Sequence, residues 1–482
     1  MKEYISKAQN MNPALAEKLS LKECMIGNQA FYQHVAYVVV PMIIQNTLSN
    51  VVSLLDNVMV GQIGTIPMSA VAIVNQLLFV FYLCLWGAIA GAGIYSTQFF
   101  GKGDYEGVRY SMRFKIIMAF ILCAGAILIL YFAGPELISL YIAPGTPSAD
   151  RAATMKYALQ FLHIMLIGLV PFGITQCYAG VLRESGQTTL PMIASIAAMV
   201  LNFLLNLLLI FGYLGFPKLG VAGAGVATVI ARMVEMLIVV WGAHRNKERY
   251  AFLIGVYDHF NIPKNMIKPI LMKSLPLLCN EFLWSLGQAA LLMCYSDRGI
   301  KVVAALNISN TISQIFNEVF LSLGNATSIV VGQELGAEHF ANARRTAWRM
   351  AFLSLSSCLT MGFLLFLCAP MIPHIYNTED AIRLLATHFI IVVSICMPIN
   401  GFTNVAYFTL RSGGKTFVTF LFDSCFSWTV SVPAAFVLTH FTAIPIIQVY
   451  LFICLLELIK CGIGFGLVRK GGWVRNIVSS VA

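Results

Sequence analysis

The sequence predicts an all-α polytopic membrane protein: twelve transmembrane helices in two six-helix lobes related by a parallel internal repeat. Three observations carry this expectation. The 482-residue chain is 59% apolar and only 11% charged, far below the roughly 25% charged content of a soluble domain. Its apolar residues recur in runs of about the 20 residues that a bilayer-spanning helix needs. Its two halves also align on their prolines, glycines and polar residues. The first two observations exclude a soluble enzyme and a nucleic-acid partner, so the net charge of +10 is a membrane property and not a phosphate-binding patch.

In chain order, residues 1–30 are polar and mixed in charge, with no short apolar segment and cleavage site of a signal peptide. They read as a cytoplasmic N-terminal segment. Apolar runs bounded by polar breaks then place spans near 33–58, 67–98, 114–133, 157–181, 189–214 and 221–243, and near 268–295, 302–332, 350–370, 385–409, 416–439 and 445–467. The second and eighth exceed what a bilayer requires, so tilt or bending is expected there. The resulting organisation is an N-lobe at 31–245, a cytoplasmic linker at 246–265, a C-lobe at 266–468 and a cytoplasmic tail at 469–482. Of the 31 Lys and Arg, 24 fall in or beside the two termini and alternate loops, which puts both termini in the cytoplasm. The cysteines sit mostly inside apolar runs without a C-x-x-C pair, and read as free thiols packed as small hydrophobes.

The repeat emerges at a gapless offset of 235, which pairs Pro41 with Pro276, Gln98 with Gln333, Gly101 with Gly336 and Arg109 with Arg344. After a short deletion, Arg183 to Thr188 lines up with Arg411 to Thr416. Six spans per half is an even number, so both copies share one orientation, an arrangement used by transporters with the cargo path between the halves.

Ionisable groups within spans are costly and therefore functional candidates. Asp56 lies late in the first span and groups with Asn202 and Asn206, i,i+4 neighbours on one face of the fifth. A carboxylate with two amide oxygens suits Na⁺ and equally suits a carboxyl that takes up a proton. The alternative is that Asp56 only marks a helix end. Glu281, Asn310, Glu318 and Asn400, with Asn307 and Asn404, are candidates for a polar second-half cavity; acids within aromatic and Met-rich walls suit lipophilic cations. The alternative there is a set of interhelical hydrogen bonds. Arg232 with Glu235, and Glu457 with Lys460, read as i,i+3 structural pairs; Asp423 is left open. Gly414-Lys415-Thr416 resembles the end of a P-loop, but Thr409 stands where the first glycine belongs. No cofactor, resident metal or catalytic residue is expected.

Leu54-Leu55-Asp56-Asn57-Val58-Met59-Val60-Gly61, the two Leu-Arg-x-x-Gly-x-Thr segments, Gly220 to Gly225 and Asn280 to Ser285 resemble segments of the multidrug and toxic compound extrusion family. The resemblance covers nearly the whole chain. It implies an antiporter driven by H⁺ or Na⁺ that exports organic cations from the plasma (inner) membrane. By motif, it maps the amino-lobe cation site onto Asp56, Asn202 and Asn206, and the seventh-helix acid onto Glu281. Where some members carry an acid in the tenth helix, this chain has only Asn400 and Asn404. The chain is taken as a monomer whose partners are organic cations and the bilayer. A flippase for lipid-linked saccharides is the runner-up, and a membrane-embedded enzyme a more distant one.

Overall fold

The computed structural model describes residues 25–142, 147–376 and 378–479, so most of the N-terminal segment at 1–30 lies outside the described residues. Every regular element among them is helical. Eleven helices are long and apolar enough to cross a membrane: Gln29–Gly61, Thr65–Lys102, Tyr105–Phe132, Thr189–Phe211, Val221–Arg245, Lys264–Ser296, Ile300–Gly336, Phe340–Cys368, Asp380–Ser412, Thr416–Phe441 and Ile446–Lys470. The remaining span is the pair Ser148–Ile167 and Leu169–Glu184, bent by 45°. The bend follows from Pro171, which has no N–H to offer the preceding turn. The second and eighth spans run unbroken instead, so the break falls in the fourth span and in neither of the long ones.

By packing, the described chain divides into two compact units. One holds the residues through Ile43, Thr97–Asp104 and the chain from Cys279; the other holds Ile44–Ser96 and Tyr105–Leu278. Three divisions fall inside helices. One lies between Ser96 and Thr97 in the second span, and the other two fall at the same place in the repeat, directly after Pro41 in the first span and Pro276 in the seventh.

Within the first of these units the repeat is visible as a contact. The second span meets the eighth where a Cβ on Gly101 would overlap the Gln333 carbonyl and one on Gly336 would overlap the Gln98 carbonyl. These four residues are the two pairs matched by the offset, met crosswise, and only glycine permits so close a backbone approach. Gln98, fully buried, donates to the Ser412 carbonyl (2.9 Å) and accepts from the Ile477 amide (2.9 Å). The segment after the twelfth span therefore folds back, burying Trp473 against Val331, Leu335, Ala343, Ala347 and Leu410.

In the other unit, the connection after the sixth span is a packed element. Arg113 donates to the carbonyls of Val256 (2.8 Å), Gly255 (2.9 Å) and Asn261 (3.2 Å). Tyr250, Phe252 and Leu253 are buried beneath it.

Candidate ion and cargo sites

The first-half site is assembled by three helices of one unit. Asn202 and Asn206 are one turn apart on the fifth span, both buried. Asn206 Nδ2 donates to Asp56 Oδ1 at 2.6 Å and to Asn202 Oδ1 at 3.2 Å. Asn202 Nδ2 in turn donates to Thr228 Oγ1 on the sixth span at 3.3 Å. Asn206 Oδ1 is buried without a hydrogen-bond partner, and an orphaned buried acceptor is costly. Beside a carboxylate, it is satisfied by a cation that accepts oxygen ligands or by a proton carried on the acid. Sequence reading brought Asp56, Asn202 and Asn206 together as the structure does, but missed Thr228. The available signal was Gly223, whose Cβ would overlap the Leu209 carbonyl; that close approach of the fifth and sixth spans is what places Thr228 within reach.

A second polar cluster in the same unit runs from the fourth span to the sixth. Arg183 donates to Gln45 Oε1 (3.0 Å), Gln45 Nε2 to Ser195 Oγ (2.6 Å), and the Ser195 hydroxyl to Glu235 Oε1. This corrects the expected Arg232–Glu235 pair, which does not form. Arg232 donates to the Tyr82 hydroxyl (2.6 Å) and lies 4.9 Å from the ring centres of both Tyr82 and Phe172. Each side chain finds a partner on another helix, where geometry is better than across one turn of its own.

The second-half candidates are placed differently. Asn310 is exposed, while Glu281, Glu318 and Asn400 are half-buried. Among the described residues no hydrogen bond or ion pair joins Glu281, Asn310 and Asn400. The polar cluster that does form uses Asn280, next to Glu281, and Asp423. Asn280 Nδ2 donates to Asp423 Oδ2 at 3.2 Å, and the Ser424 hydroxyl donates to Asn280 Oδ1 at 2.8 Å. Lys460 Nζ donates to Asp423 Oδ1 at 3.1 Å and lies 3.0 Å from Glu457 Oε2. The Glu457–Lys460 pair forms as expected, and Asp423 completes it. Asp423 sits in one of two successive π-helical turns, Leu421–Cys425 and Ser427–Ser431. Pro433, lacking an N–H for the turn before it, follows directly.

The two clusters occupy equivalent places in the repeat. Gln45 and Asn280 correspond at the offset of 235, and Ser195 and Asp423 stand equally far beyond the matched Thr188 and Thr416. A family model described as MatE matches residues 41–208 and 276–437, once per half, each match beginning at the paired prolines. The chain belongs to the MatE family. It is 24% identical over 418 residues to the probable multidrug resistance protein YoeA of Bacillus subtilis, covering 85% of this chain and 88% of that protein. It is also 24% identical over 411 residues to the probable multidrug resistance protein NorM of Thermotoga maritima, covering 83% and 84%. A crystal structure of MATE in the bent conformation superposes with a TM-score of 0.81 at 18% identity, covering 96% of this chain and all of that one. This MatE protein is therefore a multi-pass membrane protein of a multidrug-efflux transporter family. The family is one of transporters and not of enzymes, which removes the membrane-enzyme alternative.

Proposed function

We propose that this MatE protein is an antiporter of the plasma membrane, with both termini cytoplasmic, that exports lipophilic organic cations as a monomer in exchange for H⁺ or Na⁺. The observation that carries the reading is the pairing of Asp56 with Asn206, whose second amide atom is buried and unmet. A ligand shifts an equilibrium between two access states only through differential affinity. Asp56 is the one member of that trio able to change charge; Asn202 and Asn206 orient it or complete an oxygen shell. Half-buried Glu281, whose side chain takes no hydrogen bond among the described residues and feels the Arg411 charge, is the acid we assign to a cationic cargo, with Asn310, Glu318 and Asn400 as further candidates along the second half.

A flippase for lipid-linked saccharides would need a cation offered to a pyrophosphate. Arg232, the arginine within the sixth span, is instead stacked on Tyr82 and Phe172. The test is efflux of a fluorescent cationic dye from vesicles under separate proton and sodium gradients. Asp56→Asn is expected to abolish gradient-driven efflux while dye binding persists, and Asn206→Ala to weaken it. Normal pumping by Asp56→Asn under both gradients would return Asp56 to the role of a helix-end residue.

A further inference from the structure

Among the described residues from Cys279 onward, Lys460 is the one charged residue that is buried, at 6% exposed. Its ammonium is held by Asp423 and Glu457 and lies 5.8 Å from the ring centres of both Phe422 and Phe426. Asp423 is fixed in place, since its second oxygen takes the Asn280 amide and Asn280 is itself held by Ser424. Charged and titratable groups face this centre from neighbouring spans. Glu281 from the seventh span interacts electrostatically with Asp423, and Arg411 from the tenth with Glu281 and Tyr407. The Tyr407 hydroxyl accepts from Asn280 at 3.4 Å, and the adjacent Cys461 is engaged by Thr403 at 3.2 Å. Two carboxylates around one ammonium, with aromatic faces at cation–π distance, is the chemistry that binds an organic cation. In this structure a lysine occupies it.

A buried lysine could equally be a permanent tie between helices, but the other half of the molecule argues against that. At the equivalent place in the repeat, Gln45 and Ser195 stand for Asn280 and Asp423, and Ser195 contacts Glu235 where Asp423 contacts Lys460. The cation in that cluster is Arg183 of the fourth span, which donates to Gln45 and acts on Glu235. The last span of the half therefore meets the fifth there without an ammonium of its own, and the packing does not require one at that position.

We propose that Lys460 carries an exchangeable proton of the transport cycle. A cationic cargo settles against Asp423 and Glu457, and the Lys460 ammonium releases one proton to water and becomes a neutral amine. The N–H bond breaks with its electron pair left on nitrogen, and the cargo brings one positive charge. The trio of Asp423, Glu457 and Lys460 thus loses one positive charge, which the cargo replaces, so trio and cargo together carry the total charge that the trio carried alone. Two cations against the same carboxylates repel strongly in a poorly solvated site, which makes cargo and proton mutually exclusive. When the proton returns, the ammonium re-pairs with Asp423 and the cargo leaves. This step deepens the cation-export reading and rests on it, but uses residues separate from Asp56.

The test is calorimetric titration of the purified full-length protein with tetraphenylphosphonium in buffers of different ionisation enthalpy, which counts protons released per cation bound. Asp56→Asn serves as the background, so that any release at Asp56 is removed. In that background binding should still release up to one proton. Adding Lys460→Gln should bring release close to zero and flatten the dependence of Kd on pH, which otherwise tightens by at most about tenfold per unit as pH rises. Lys460→Arg keeps a cation that does not deprotonate; it should weaken binding at least about tenfold with an unchanged gel-filtration profile. Proton release that is equal with and without Lys460, or tight binding by Lys460→Arg, overturns the proposal and leaves the Asp56 reading standing. Failure of the wild-type protein to bind tetraphenylphosphonium overturns the cation-export reading and this step with it.

Discussion

At matching positions of the repeat, one half sets a serine against a glutamate and the other sets an aspartate against a lysine. In both, an amide from the span that opens the half, Gln45 or Asn280, donates to the group on the fifth or eleventh span. In both, that group then meets a residue of the half's last span, Glu235 or Lys460. The hydrogen-bonded meeting of three helices is common to the two halves, whereas the charge is reversed. A contact that survives such a reversal is architectural, and the charge placed on it is free to serve function. The acid that we propose for an ion in each half differs accordingly. Asp56 is partnered by an amide, so an arriving cation or proton has no resident charge to displace. Asp423 is already neutralised by Lys460, so any cation must compete.

The largest expected effect follows from that contrast. Lys460→Met leaves Asp423 and Glu457 without their buried counter-charge and should cost about 3–5 kcal/mol, the range for breaking a buried pair by removing one partner. Glu235→Met removes the acceptor of the Ser195 hydroxyl and a carboxylate that acts on buried Arg183 without a direct ion pair, and should cost about 1–3 kcal/mol. Apparent melting in detergent would separate the two, and equal losses would erase the distinction between an ionic and a hydrogen-bonded centre. A smaller effect tests the equivalence of the halves. Gly101→Ala and Gly336→Ala each press a methyl group onto a backbone carbonyl and should destabilise by similar amounts, about 1–3 kcal/mol; a large asymmetry would mean that the two approaches are not equivalent. The smallest change is Ser195→Ala, expected to lower stability by about 1 kcal/mol through one lost hydrogen bond. A loss as large as that of Lys460→Met would show that the first-half cluster also carries an essential charge interaction.

Several features were legible in the residues themselves. The span positions were, because apolar length is a local property, and each observed helix contains or closely brackets its expected run. Asp56 with Asn202 and Asn206 was legible because one helical turn puts the two amides on one face and a carboxylate in an apolar run has few partners to choose from. The pairing of Gly101 and Gly336 with Gln333 and Gln98 was foreshadowed by the offset, although the contact itself was not. Arg232 with Glu235 misled for a physical reason. Spacing of i,i+3 permits a pair but does not require it, and both side chains reach better-placed partners on neighbouring helices. Asp423 could not be assigned because its partners come from the seventh and twelfth spans, and because π-helical turns set its direction.

By itself, then, the sequence determined the membrane class, the helix count, the duplication and the first-half acid with its amides, since each depends on composition, period or spacing along one chain. The tertiary structure alone decided where the fourth span breaks, which partner each buried charge takes, and that Lys460 closes the acidic centre formed by Asp423 and Glu457. Buried charges are satisfied by whichever groups packing brings within about 3 Å, and in a bundle those groups come from helices far apart in the chain.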